Sequence, residues 1–100
     1  MAAFNVVRFR VKPGQDDAFL EAHRSGKADW PGLVEGHIIK TGDHSYCLIG
    51  RWPSQDVMSA AMSAMIATLD SFRATLDDQG PGKGVTDAVS GVVVLDVKAG

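Results

Sequence analysis

The run Tyr46-Cys47-Leu48-Ile49-Gly50-Arg51-Trp52-Pro53-Ser54 constrains this chain more than any other stretch. Its first seven residues are mostly apolar and aromatic, as a strand requires. Pro53 lacks the amide that a central strand must donate, and Ser54 is a favoured helix N-cap. A strand that passes directly into a helix therefore sits at the middle of the chain. The residues before it read as strand–helix–strand. Those after it read as a long helix and a last strand.

Phe4–Val11 alternates with period two. Asn5, Val7, Phe9 and Val11 share one face, and Phe4, Val6, Arg8 and Arg10 the other, which is a strand pattern. Pro13-Gly14 ends it. Gln15, Asp16 and Asp17 open a helix, with carboxylates at the positive end of its dipole. Phe19, Ala22, His23 and Gly26 fall on one side, and Arg24 and Lys27 lie towards its C-terminal end. Trp30-Pro31-Gly32 is a turn signal.

Leu33–Thr41 is expected as the second strand and His44–Trp52 as the third. Gly42-Asp43 is the expected two-residue turn, with Gly42 taking the positive φ. This register pairs Thr41 with His44, Ile39 with Tyr46, His37 with Leu48, Glu35 with Gly50 and Leu33 with Trp52. The second helix is expected over Gln55–Asp78, with an apolar stripe Met58, Met62, Met65, Leu69, Phe72 and Leu76. A kink is expected at Thr68–Ser71. Val89–Val97 is the expected last strand.

The order βαββαβ is the ferredoxin-like α+β arrangement: a four-stranded antiparallel sheet with two helices on one face. The chain is read as one domain, 1–100. In the register above, the uncovered face carries Phe4, Val6, Ile39, Tyr46, Leu48 and Trp52. So apolar a face calls for a second copy packed sheet against sheet, a homodimer forming a dimeric α+β barrel. Arg8, Arg10 and Glu35 share that face and are candidates for paired charges in the interface.

Composition narrows the partners. Ten basic and twelve acidic residues give a net charge of −2 without long runs of one sign, which argues against nucleic acid or an anionic membrane. No apolar run is long enough to span a bilayer, and the start does not read as a signal peptide. One cysteine cannot form an internal disulfide, so a reducing, cytoplasmic setting is expected.

Several residues are candidates for chemistry. Asn5 either bonds a phenolate or bound oxygen, or satisfies a neighbouring strand end. His23 is either a general base beside an apolar pocket or a satisfied, partly buried histidine. Arg73 either holds an anionic substrate oxygen or pairs with Asp70 or Asp77. Trp52 either lines a pocket mouth or packs in a core or interface. Met58, Met62 and Met65 form either a pliable wall for a flat ligand or plain core. Cys47, among apolar neighbours without an activating base, reads as inert. His37 reads as structural and His44 as solvated, and no His/Asp/Glu spacing resembles a metal site. Gly80-Pro81-Gly82-Lys83-Gly84 follows a helix and precedes a strand, the wrong context for a phosphate loop. It is either a flap or a plain loop.

Taken together, Val11-Lys12-Pro13-Gly14, Trp30-Pro31-Gly32, Tyr46–Trp52, the Pro-Ser-Gln-Asp helix start at 53–56 and Phe72-Arg73 make the chain similar to the antibiotic biosynthesis monooxygenase-like family. The resemblance covers nearly the whole chain and implies the dimeric α+β barrel. The family includes cofactor-free oxygenases acting on polycyclic phenols or quinols, haem-degrading enzymes and proteins without known activity. It implies a role for a first-strand Asn facing a cleft between sheet and helices, a position matched by Asn5. Haem degraders also use a Trp and a His on the second helix, where this chain has Ala61 and Ser71. That departure speaks against haem chemistry and takes the Trp from the oxygenase set. The expectation is a monooxygenase acting on an electron-rich aromatic or quinol-type molecule, needing neither flavin nor metal. The alternatives are a non-catalytic dimeric small-molecule-binding protein and an isomerase or lyase acting on a cyclic metabolite.

Overall fold

The computed structural model describes residues 1–24, 29–79 and 84–98. The expected helix residues Gly26 and Lys27, and residues 80–83 of the glycine-rich loop, lie outside the described residues. The elements are β1 (Ala3–Arg10), α1 (Asp16–Glu21), β2 (Glu35–Gly42), β3 (Ser45–Trp52), α2 (Gln55–Ala60), α3 (Met62–Phe72) and β4 (Asp87–Val92). A 3-10 turn over Arg73–Thr75 follows α3. The strands run β2-β3-β1-β4 with every neighbour antiparallel, the ferredoxin-like order.

The alternation of β1 sets the two faces as expected. Ala3, Asn5, Phe9 and, just past the strand, Val11 are buried beneath the helices. Phe9 packs edge-on against Phe19 of α1 and Phe72 of α3, with ring centroids 5.2 and 5.7 Å away. Trp52, Phe19 and Val11 are fully enclosed. Ser54 caps α2 by accepting the Val57 amide at 3.2 Å, as the Pro-Ser signal predicts.

The β2–β3 register differs from expectation by one residue. Glu35 pairs with Arg51, Gly36 with Gly50, Ile38 with Leu48 and Ile39 with Cys47. The loop is Asp43-His44, closed by the Gly42–Ser45 pair, with an irregularity between Lys40 and Gly42. His44, not Gly42, takes the positive φ, at 58°. Its imidazole Nδ1 lies 2.9 Å from Asp16 Oδ1 of α1, which anchors that residue in place. Because side chains alternate, the shift turns β3 over. Tyr46, Leu48 and Trp52 face the helices, and Cys47, Ile49 and Arg51 face outward. The open face still carries Phe4, Val6, Ile39, Ile49 and Val89. Two ion pairs form on it within the chain: Arg51 Nε with Glu35 at 3.0 Å, and Arg8 with Asp87 at 4.0 Å.

The second helix is also shorter than expected and breaks elsewhere. The interruption falls at Ala61, whose amide reaches the carbonyls of both Val57 and Met58, a local 3-10 tightening. Beyond it, the hydroxyls of Ser71 and Thr75 donate to the carbonyls of Thr68 and Phe72. Such back-bonding competes with helix continuation. The chain then leaves the helix and joins Leu76 to Val11 in an isolated bridge. The last strand ends at Val92 rather than Val97.

Candidate active site

A cavity of about 330 Å³ lies between the sheet and α2–α3, within the range of small-molecule sites. Asn5, Val7 and Phe9 of β1 and Leu48 of β3 line its sheet side. Met58, Met62, Met65, Ile66, Leu69 and Phe72 line its helix side. Thr86, just before β4, and Ala88, Val89 and Ser90 within it close a third side. The stripe expected as either core or ligand wall divides by depth. Met58 is buried, whereas Met62 stands 50% exposed at the rim.

Asn5 is the buried polar group on the sheet side, 7% exposed. Its Oδ1 accepts the Trp52 indole N–H at 2.8 Å, and its Nδ2 lies 3.6 Å from Met65 Sδ. Both contacts fix the same amide orientation, since an indole N–H only donates and a thioether only accepts. Gly50, the cross-strand partner of Asn5, makes room for this bond. A Cβ there would stand 2.4 Å from Asn5 Oδ1 and 3.2 Å from Trp52 Nε1.

His23 sits two residues beyond the end of α1. Its Nδ1 is 2.9 Å from the Phe19 carbonyl, which only accepts, so Nδ1 carries the proton and Nε2 keeps its lone pair. Burial pushes the imidazole below its usual value of 6.5, and the Phe19 carbonyl opposes this in part. The ring is therefore neutral at neutral pH. It packs against Phe72 at 4.5 Å and Phe19 at 5.0 Å.

Asn5 and His23 thus line one cavity, but at separate places. His23 stands beside Phe9, with rings 6.3 Å apart. Asn5 lies four strand residues from Phe9, about 13 Å along the sheet. Trp52 is fully buried and reaches the cavity only through Asn5. Arg73 is not among the lining residues; its guanidinium Nη2 holds Asp70 at 3.0 Å. His37 is on the outer face, 3.5 Å from Glu35. Cys47 is buried, free and on the outer face. Among the described residues, no three His, Cys, Asp or Glu side chains are grouped to hold a metal ion.

Sequence reasoning missed Gln55, Ser59, Thr86 and Ser90, all at the cavity. Ser90 lies opposite Asn5 across β1–β4. It also missed that Trp30 is buried, with its indole N–H donating to Thr68 Oγ1 at 2.9 Å. A tryptophan in a turn motif was the available signal, because so large an apolar ring is seldom left in water.

A ferredoxin-like sheet with an apolar, asparagine-bearing cleft beneath its helices places the chain among the two-layer α+β proteins. Comparison with solved structures narrows the class. The chain has the fold of the antibiotic biosynthesis monooxygenase-like proteins. A candidate member from Chloroflexus aurantiacus is 16% identical, with full coverage of both chains and a TM-score of 0.71. SnoaB, a cofactor-independent oxygenase from Streptomyces nogalater, is 17% identical over 98% of both chains, with a TM-score of 0.69. A monooxygenase of Streptomyces coelicolor, solved in complex with nanaomycin D, is 16% identical over 99% of this chain and 93% of its own, with a TM-score of 0.73. No protein-family model matches the sequence, and no curated protein matches it significantly. Among the described residues, no helix is long and apolar enough to cross a membrane.

Proposed function

We propose that the chain is an antibiotic biosynthesis monooxygenase-like enzyme, cofactor-independent and acting on an electron-rich aromatic or quinol-type molecule. The observation that supports this reading is an apolar cavity lined by both the buried Asn5 amide and the neutral His23 imidazole. Their separation calls for a ligand with oxygens at two ends. Nε2 of His23 takes the proton of one hydroxyl. The other oxygen rests on the Asn5 amide, and the methionines and Phe72 enclose the rings. The electron-rich anion then reduces oxygen directly. One oxygen atom bonds to ring carbon, the other leaves as water, and the substrate supplies the electrons and hydrogens. Met62 is a contact at the rim. Arg73 and Trp52 take no direct part in binding.

The same reading includes a homodimer. The open face presents Phe4, Val6, Ile39, Ile49 and Val89, with Ile39 45% and Val89 66% exposed. A second copy of that face covers them by two-fold symmetry. The free, buried Cys47 suits a reducing cytoplasm.

The test is oxygen uptake with anthrone-type and hydroquinone substrates. Uptake that falls at least about a hundredfold in Asn5→Ala and in His23→Gln supports the reading, general-base catalysis alone accounting for such a factor. Binding without uptake identifies a binding protein with the same cleft. Product formed under nitrogen identifies an isomerase or lyase.

A further inference from the structure

Asn5 is the one buried polar side chain that the sheet offers to the cavity, and its surroundings go beyond what a binding role alone requires. An asparagine amide presents a donor edge and an acceptor edge, and a 180° turn exchanges them. Here the acceptor edge is occupied. Trp52, fully buried at the end of β3, gives its only polar hydrogen to Oδ1 at 2.8 Å. The donor edge meets only a thioether at 3.6 Å, among the weakest acceptors in a protein. The second N–H of the amide has no acceptor among the described residues. Turning the amide over would set N–H against N–H at the indole and orphan a buried donor.

We propose that Trp52 and Gly50 are positioning residues that lock the Asn5 amide with its N–H edge towards the cavity, so that the site takes its ligand through an oxygen that accepts hydrogen bonds, an aryloxide or a quinone carbonyl. Trp52 supplies the lock. Gly50 supplies the space, since any side chain at the position opposite Asn5 would occupy the path between Oδ1 and the indole. The proposal rests on the reading of Asn5 as a ligand-facing group and adds to it the direction of that group and the residues that set it. It also states a preference: an amide N–H favours an anionic oxygen over a neutral hydroxyl, because hydrogen bonds to charged acceptors are the stronger ones.

The experiment uses 4-nitro-1-naphthol, whose neutral and ionised forms differ in colour, titrated spectroscopically on the intact protein. Bound to the wild-type chain, it is expected to carry about tenfold more naphtholate at a fixed pH than in water, the effect of about one pKa unit. Trp52→Phe keeps an aromatic ring without the N–H, and Gly50→Ala drives Oδ1 off the indole by another route. Each is expected to bind the dye and to lose most of that enrichment. Asn5→Asp, with a carboxylate in place of the amide, is expected to reverse it. If Trp52→Phe does not fold, Gly50→Ala answers alone. Full enrichment in both variants overturns the proposal, as does a wild-type protein that fails to bind the dye or binds it without enrichment. Oxygen uptake run in parallel separates the two readings. Enrichment without uptake on any hydroquinone sinks the oxygenase reading and leaves the lock intact, whereas uptake with unaltered enrichment in both variants sinks the lock alone.

Discussion

Replacing Thr68 by Val removes one buried oxygen from α3 and leaves the shape of the side chain nearly unchanged. In the native chain Thr68 Oγ1 accepts the Trp30 indole N–H at 2.9 Å and donates to the Ala64 carbonyl at 3.1 Å. Trp30 and Thr68 are both buried, so water cannot take the place of the lost acceptor. An orphaned buried donor costs about 1–3 kcal/mol. In a domain of this size each kcal/mol lowers Tm by about 4–8 °C, so a central loss of about 2 kcal/mol is an expected drop of about 8–16 °C. Trp30→Phe costs differently. It takes the donor away, leaves the Thr68 hydroxyl bonded to Ala64, and orphans nothing. Its penalty is lost packing. The double variant therefore costs less than the two singles added together, by about 1 kcal/mol. Denaturant or thermal unfolding of the four proteins measures this. Thr68→Val within about 0.5 kcal/mol of wild type, or strict additivity, would refute the claim that this bond fastens the loop before β2 to α3.

Ile49→Glu places a carboxylate in the middle of the open face. If that face is a dimer interface, two buried charges cost several kcal/mol each, and sedimentation is expected to show a monomer with native circular dichroism; an unchanged dimer, or a monomeric wild type, contradicts the sheet-to-sheet arrangement. The single tyrosine of the chain permits a direct titration. The Tyr46 hydroxyl donates to Asp16 Oδ2 at 2.7 Å, which raises the phenol to about 12, and ultraviolet absorbance is expected to show Asp16→Asn bringing it back towards 10.0. The same bond, with that of His44, holds the Asp16 carboxyl below 3.8. Its stabilising contribution is then present above 3.8 and lost as pH falls through the lower folded value, so Asp16→Asn is expected to flatten the acid limb of the stability curve. His23 acts in the same sense at higher pH. Burial lowers it below 6.5, the unfolded chain takes up the proton first, and stability rises with pH through that window; a stability profile as steep in His23→Gln as in wild type would count against a buried neutral imidazole.

The fold was legible where a strand has two unlike faces and obscure where it does not. In β1 the single polar residue of one face, Asn5, stands among Val7, Phe9 and Val11, while arginines mark the other, so both the strand and its candidate site residue could be read. In β3 both faces are apolar: Tyr46, Leu48 and Trp52 on one, Cys47 and Ile49 on the other. Alternation then carries little information, and the faces hang on the turn. The turn was misread because glycine is the usual bearer of positive φ, whereas His44 bears it here with help from Asp16, a residue of another element. Nothing local announces that bond. The break at Ala61 was hidden for a similar reason, since the apolar stripe from Met58 to Leu76 runs through it without Pro or Gly. Ser90 takes its place at the cavity, and Trp30 its buried position, through partners 85 and 38 positions away, Asn5 across the β1–β4 ladder and Thr68 on α3.

The one-residue shift in β3 bears on chemistry as much as on packing. With the expected faces, Trp52 would point to the open side of the sheet, Gly50 would lie beneath it, and Arg51 would stand beside Asn5 in the cavity. A guanidinium there would make a cationic cleft suited to carboxylates or phosphates, and Asn5 would be free to turn either edge to a ligand. With the observed register Arg51 is outside, held by Glu35, and the inward residues are a glycine and an indole. Among the described residues the cleft then has no Asp, Glu, Lys or Arg in its lining, and its amide has one direction. A largely apolar pocket with a fixed amide donor and a neutral imidazole at some distance is the geometry on which the proposed two-ended aromatic ligand rests. The turn at Asp43-His44, remote from the cavity in sequence, thus decides whether a guanidinium or an indole-held amide stands on the sheet side of the cavity.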